Sequence, residues 1–234
     1  MASKTYELEP LGKVTVVKRQ ANRHLRLTIA SGGQIRVSIP TWASYQAGLD
    51  FALSKQAWIT DKLPPVNLLS DGQSIGRAHR LVFKADATTT KPRTRIKGNQ
   101  ITISYPKALS PQDTLVQTAA NSAAVKALRA QAISLLPQRL EALSKSHGLP
   151  YTSVQIKQLS RRWGSCDQKQ RIVLNLYLIQ MPWELIDYVI LHELAHTRHM
   201  NHGPEFWKLL IDLSPNARSL KKQLGKYHPG IVSI

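Results

Sequence analysis

The stretch HELAHTRHMNHGPEF, residues 192–206, places four histidines and two glutamates within fifteen positions. Imidazoles and carboxylates can ligate a divalent cation or move protons, so their spacing decides what they do together. On a helix, residues i and i+4 stand one above the other on one face. His192 and His196 have that spacing and can share one ion. Glu193 follows His192 directly, where its carboxylate can reach a water on the open side of such an ion.

A catalytic zinc site takes three protein ligands and leaves one position for water. Three residues are candidates for the third ligand: His202, Glu205 and His199, in that order. His199 is seven residues beyond His192, which on an unbroken helix separates their Cα atoms by about 10.5 Å. Side chains strung along such a line converge poorly on a tetrahedral ion. Asn201, Gly203 and Pro204 signal that the helix has ended before His202, so the chain can turn and bring His202 back over the pair. Glu205 falls in the first turn of the next helix, where a carboxylate also suits the helix dipole. The spacing H-E-x-x-H-x5-H has the length seen in metzincins. His199 stands where those enzymes carry glycine, and no Met-turn is recognisable, so that assignment is rejected and the three-histidine geometry kept.

The elements around this stretch must hold it. ELIDYVIL directly upstream is an almost unbroken apolar run, so the helix carrying His192 is expected to be buried, where its polar side chains need partners. Pro182 and Glu184 suit its first turn. VQIKQL (154–159) and RIVLNLYLI (171–179) read as strands, joined by the turn-rich SRRWGSCDQKQ. Residues 112–147, rich in Ala, Leu, Gln and Lys, predict one or two helices, kinked or broken near Pro137, with a stop at Gly148 and Pro150. Phe206 and Trp207 are expected in the core.

Ahead of a compositional shift at Pro106–Pro111 the chain reads mainly as strands: 13–19, 24–30, 34–40, 79–85 and 101–106. Ser31-Gly32-Gly33 is a hairpin signal, and Thr41 to Lys62 has a helical rhythm that Pro64-Pro65 ends. The expected fold class is α+β. A basic β-rich domain over 1–110 precedes a helical, small-sheet domain over 111–234.

At 234 residues and 26.2 kDa the chain can bury a real core, and no apolar run approaches the length of a membrane span. MASKTYELEP has acidic residues and no apolar h-region, unlike a secretory signal. Cys166 is the only cysteine, which excludes an intrachain disulfide and suits a reducing, cytoplasmic setting. The formal charge of +18 divides into +11 over 1–110 and +7 over 111–234, so it is no basic tail. A field of this sign attracts polyanions, nucleic acid above all, although a basic surface can also be indifferent.

RRWGSC (161–166), RIVLNLYLI, the proline with DYVILHELAH, and NHGPEFW (201–207), as an ordered set, closely resemble the YgjP-like metallopeptidases and, more distantly, SprT-like zinc proteases. GGQIRVSIP and the following helix with KQAWI extend the resemblance to nearly the whole chain. The resemblance implies a zincin-like catalytic domain, with His192, His196 and His202 on zinc and Glu193 as general base. The implied reaction is hydrolysis of a peptide or protein substrate: zinc acidifies its water and polarises the scissile carbonyl, and Glu193 carries the proton to the leaving amine.

Zincins usually bind a peptide beside a sheet edge. RIVLNLYLI is the candidate edge, or else a buried structural strand. Arg161, Arg162, Tyr177, Tyr227 and His228 are all candidates for oxyanion stabilisation. Cys166 is either a fourth ligand that silences the zinc or a small core residue. The competing reading is a nucleic-acid-binding protein with a structural or inactive metal site. The intact Glu193 speaks against it, because a purely structural site needs no such carboxylate.

Overall fold

The computed structural model describes residues 2–29, 33–62 and 68–231, and its contacts divide the chain into two units, Met1–Asn67 and Leu68–Ile234. It is a mixed α+β protein, as the composition of its elements suggests.

The first unit holds strands β1 (Ser3–Leu8), β2 (Gly12–Lys18), β3 (Arg26–Ile29) and β4 (Ile35–Ile39), then helices α1 (Tyr45–Ser54) and α2 (Gln56–Lys62). The sheet order is β1-β2-β4-β3, with β2 and β4 parallel. Alternation of apolar with polar residues puts Val14, Val16, Ile35, Val37 and Ile39 on one face, where they form a core with Leu49, Ala52 and Ile59. The helical stretch expected over 41–62 is two helices, separated at Lys55. Ser31 and Gly32 of the hairpin signal, and Pro64-Pro65, lie outside the described residues. The flanking strands β3 and β4 do pair antiparallel.

The second unit begins with β5 (Ser74–Ile75), β6 (His79–Ala85), β7 (Arg93–Lys97) and β8 (Gln100–Tyr105), in the order β5-β6-β8-β7. Helix α3 (Thr114–His147) follows, then β9 (Ser153–Lys157), β10 (Gly164–Cys166) and β11 (Arg171–Asn175), in the order β10-β11-β9. A 3-10 helix (Leu176–Gln180) leads into α4 (Trp183–Ala195), α5 (Pro204–Leu213) and α6 (Ala217–Leu224).

Three findings correct the sequence expectations. Helix α3 runs unbroken through Pro137 for 34 residues. A proline inside a helix, through its lost backbone hydrogen bond and the clash of its ring with the preceding turn, costs about 3 kcal/mol. Val116, Ala120, Leu128, Leu136 and Leu140, all fully buried at intervals along its length, offset that by packing into the core of the unit. Gly148 then ends the helix in the left-handed conformation, φ 62°. Second, RIVLNLYLI is a strand only to Asn175, where the Asn175 side chain accepts a hydrogen bond from Tyr177 N–H and starts the 3-10 turn. Third, β11 is the middle strand of its sheet and not an edge, because GSC, within the stretch read as a turn, pairs with it as β10.

The contact boundary at Asn67 and Leu68 also precedes the compositional shift at 106–111. Leu81, Ile101 and Ile103 of β6 and β8 share one core with α3, so strands and helices of unlike composition fold as one body.

Candidate metal centre

Helix α4 is buried along nearly its whole length, as its apolar run requires. Its start is anchored by Arg77, whose guanidinium donates to the carbonyls of Ile179 (3.2 Å) and Met181 and lies 4.7 Å from the Trp183 ring. A forked pair between Arg139 and Asp187, 2.6 and 2.5 Å, braces α4 against α3.

His192 lies in the last turn of α4, and His196 is the residue that ends it. The chain then turns through Thr197–Gly203 before α5 begins at Pro204. That turn brings His202 back: the ligand-capable atoms of His192, His196 and His202 all lie within 4.8 Å of one another. Nε2 of His202 and Nε2 of His192 are 3.0 Å apart. A tetrahedral ion with metal–nitrogen bonds of about 2.0–2.1 Å holds its ligand atoms about 3.3 Å apart, close to the separation of His192 and His202. Neither Glu205, exposed in the first turn of α5, nor the His199 side chain joins the group. His199 contributes through its backbone instead, its carbonyl accepting a hydrogen bond from His196 Nδ1 at 3.0 Å. That bond fixes the tautomer that leaves His196 Nε2 open to an ion.

The electrostatics suit cation binding. Burial first, then the neighbouring His196 and His202, push His192 down to about 3. His196 is also lowered by burial. Both therefore stay neutral at ordinary pH, the form that ligates a metal. Under them lies Phe206, fully buried, its ring centroid 4.6 to 5.0 Å from those of all three imidazoles. A donor set of three imidazoles is a fit for zinc.

Glu193 is 5% exposed, and its carboxylate makes no ion pair or hydrogen bond among the described residues. Burial raises it to about 8, with the charge of Arg162 pulling the other way. Its position depends on Gly164 in β10. A Cβ built there would stand 2.6 Å from Glu193 Oε1 and 2.8 Å from Cγ, so only glycine lets the carboxylate rest against that strand. Asn175, wholly buried, holds the preceding loop: its amide donates to the carbonyls of Leu159 and Arg162, both at 2.8 Å.

The other candidates separate. Tyr177 is buried and its hydroxyl accepts from Gln158 at 2.8 Å. Arg162 is exposed and is the one of the five oxyanion candidates whose charge acts on Glu193. Cys166 is outside the histidine group. It is half-buried against the core, its thiol is pushed up to about 11 chiefly by burial, and it donates to its neighbour Asp167's carbonyl at 3.6 Å. Trp207 packs against the core as expected, and it also carries Lys221 of α6 over its ring at 4.7 Å. Lys221 is close enough to act on His192.

Sequence reading missed Gly164, Asn175, Lys221 and the contact of Phe206 with the imidazoles. Asn175 had a signal: an amide inside the apolar run RIVLNLYLI must find buried partners. The others depend on elements far apart in the chain.

A family model described as YgjP-like, metallopeptidase domain, matches residues 23–227. Among solved structures, the crystal structure of the metallopeptidase zymogen abylysin of Pyrococcus abyssi is similar at 22% identity and a TM-score of 0.37. The match covers 42% of this chain and all of that one. Curated proteins furnish no match.

Proposed function

The chain belongs to the YgjP-like metallopeptidase family, and from that premise we propose that it is a zinc-dependent peptidase of the zincin type. In this reading His192, His196 and His202 hold the metal and Glu193 is the general base. The observation that carries the reading is a buried carboxylate, free of any ion pair among the described residues, on the residue next to one of three converging imidazoles. An unpaired buried carboxylate is costly and is characteristic of functional sites.

Zinc bound there would supply an acidified water and polarise the substrate carbonyl. Glu193 takes the proton of the attacking water and returns it to the leaving amine. A cation beside Glu193 would favour the charged carboxylate, opposing the effect of burial. Gly164 keeps the carboxylate in place, and Arg162 is the favoured donor to the developing oxyanion. The substrate backbone is proposed to lie along the free side of β10. Among the described residues that strand pairs only with β11, and it carries the glycine that touches Glu193. No described helix is long and apolar enough to cross a membrane, and the lone Cys166 suits a reducing, cytoplasmic setting.

The test is cleavage of casein and of mixed peptides by zinc-loaded protein, alongside Glu193→Gln. The expected result is cleavage by the parent chain, abolished in the variant. Equal cleavage by both would remove Glu193 from the mechanism. Zinc bound without cleavage under any condition would favour a structural metal site.

A further inference from the structure

The sheet β5–β8 is covered on one face. Leu81, Ile101 and Ile103 point inward to α3. The pleat turns alternate residues to the other face. Strand pairing aligns these in three rows across β7, β8 and β6: Arg93, Ser104 and Lys84; Arg95, Thr102 and Val82; Lys97, Gln100 and Arg80. Five of these nine positions are Lys or Arg and none is acidic. All five cations are exposed, and none has an ion pair or a side-chain hydrogen bond among the described residues. Asp86, past the end of β6, feels the charges of Lys84 and Arg93, and Thr88 holds its carboxylate through both N–H and hydroxyl.

Cations on an edge strand commonly block unwanted strand addition. That accounts for β7 but not for Arg80 of β6, which is paired with Ser74 of β5 on one side and Gln100 of β8 on the other. Arg80 therefore needs another reason. Strands about 4.8 Å apart, with rows about 6.8 Å apart, make a patch of roughly 10 by 14 Å. Duplex nucleic acid presents about eight phosphate charges over that length. The patch has no aromatic residue on which unpaired bases could stack. Val82 is its only apolar side chain, too little to enter a lipid bilayer.

We propose that the outer face of β7, β8 and β6 docks the phosphate backbone of double-stranded nucleic acid. The docking is independent of base sequence, since small Ser and Thr side chains and long cations reach phosphates but present no fixed pattern to base edges. It does not depend on the reading of the metal centre.

The test is fluorescence anisotropy with a labelled duplex of about 20 base pairs, DNA and RNA in separate arms, from about 50 to 200 mM salt. Arg93, Arg95 and Lys97 are changed together to Gln. Lys126, Lys208 and Lys222, exposed on the helices, are changed together as a charge-matched control. The expected result is binding weakened about tenfold or more in the first variant, with the log–log salt slope shallower by about 2–3. The control keeps the parent's slope. Equal losses in the two variants, or an unchanged slope in the first, would overturn the proposal. Tighter binding of the parent to phosphatidylserine vesicles or to polyglutamate than to duplex would do the same. Should the first variant fail to fold, Arg80→Gln with Lys84→Gln is expected to weaken binding likewise, with the slope shallower by about 1–2.

Discussion

The ring of Phe206 stacks on that of His196, centroids 4.6 Å apart and planes 30° apart, and meets His192 and His202 edge-on. One buried phenyl group from α5 thus sets the floor against which imidazoles from α4 and from the following turn are pressed. Core packing and the candidate metal centre share an atom group.

Phe206→Ala should therefore have two effects. Removing a fully buried phenyl side chain costs about 3–5 kcal/mol of stability. It also frees all three rings, so zinc affinity should fall about tenfold or more, within the range seen when supporting residues of metal sites are removed. Denaturant midpoints and competition with a fluorescent chelator measure the two separately. A stability loss with unchanged zinc affinity would mean that the floor is only core.

His202→Ala should lose most of the bound metal, while Glu205→Ala and His199→Ala retain it, since only His202 joins His192 and His196. The His199 backbone carbonyl that accepts from His196 survives its own side-chain truncation. Elemental analysis after dialysis at about neutral pH distinguishes these outcomes. Retention by His202→Ala would direct attention to a different third ligand.

Gly164→Ala should uncouple activity from stability. The added Cβ meets the Glu193 side chain from Cγ to the carboxylate and no backbone atom among its nearest neighbours, so that side chain must swing aside and stability should change by about 1 kcal/mol. The displaced carboxylate would no longer address the attacking water, and kcat should fall by about a hundredfold, the order of a general-base contribution. Unchanged turnover would show that the carboxylate acts from elsewhere.

In the metal-free protein, burial should make Glu193 report on pH. Folded Glu193 keeps its proton up to about 8, while the unfolded chain releases it near 4.5. Between those values the folded state binds more protons, so its contribution to stability is full below 4.5 and is lost as pH rises towards 8. Glu193→Gln removes this loss, and its stability relative to the parent should grow between pH 5 and 8. His192 works in the opposite sense, weakening the fold as pH falls from about 6.5 towards 3. Urea midpoints of both proteins across this range test the sign. Parallel curves would contradict the burial of Glu193.

Much of the local structure was legible in the chain. The alternation in GKVTVVK and IRVSI marked β2 and β4, and the apolar run before His192 marked a buried helix. Pro137 misled, because the cost of proline is local and the packing that outweighs it is spread along α3. Of the two readings of RIVLNLYLI, an edge or a buried strand, the buried strand holds, and the chain could not choose because strand order is a property of partners: the three residues of β10 were too short to read as a strand and yet cover one side of β11.

Spacing within one turn of helix was enough to pair His192 with His196 and to seat Glu193 beside them, since helical geometry repeats within four residues. The stop signals at Asn201, Gly203 and Pro204 also ranked His202 first of three contenders for the third position. What the chain alone did not contain was the path from 197 to 203 that brings its ring within reach, and that path is set by where α5 packs. Gly164 against Glu193, Phe206 beneath the imidazoles and five cations on one sheet face likewise join residues from separate elements. Such meetings are decided by which apolar faces bury one another across the whole fold, and neighbours along the chain carry no record of them.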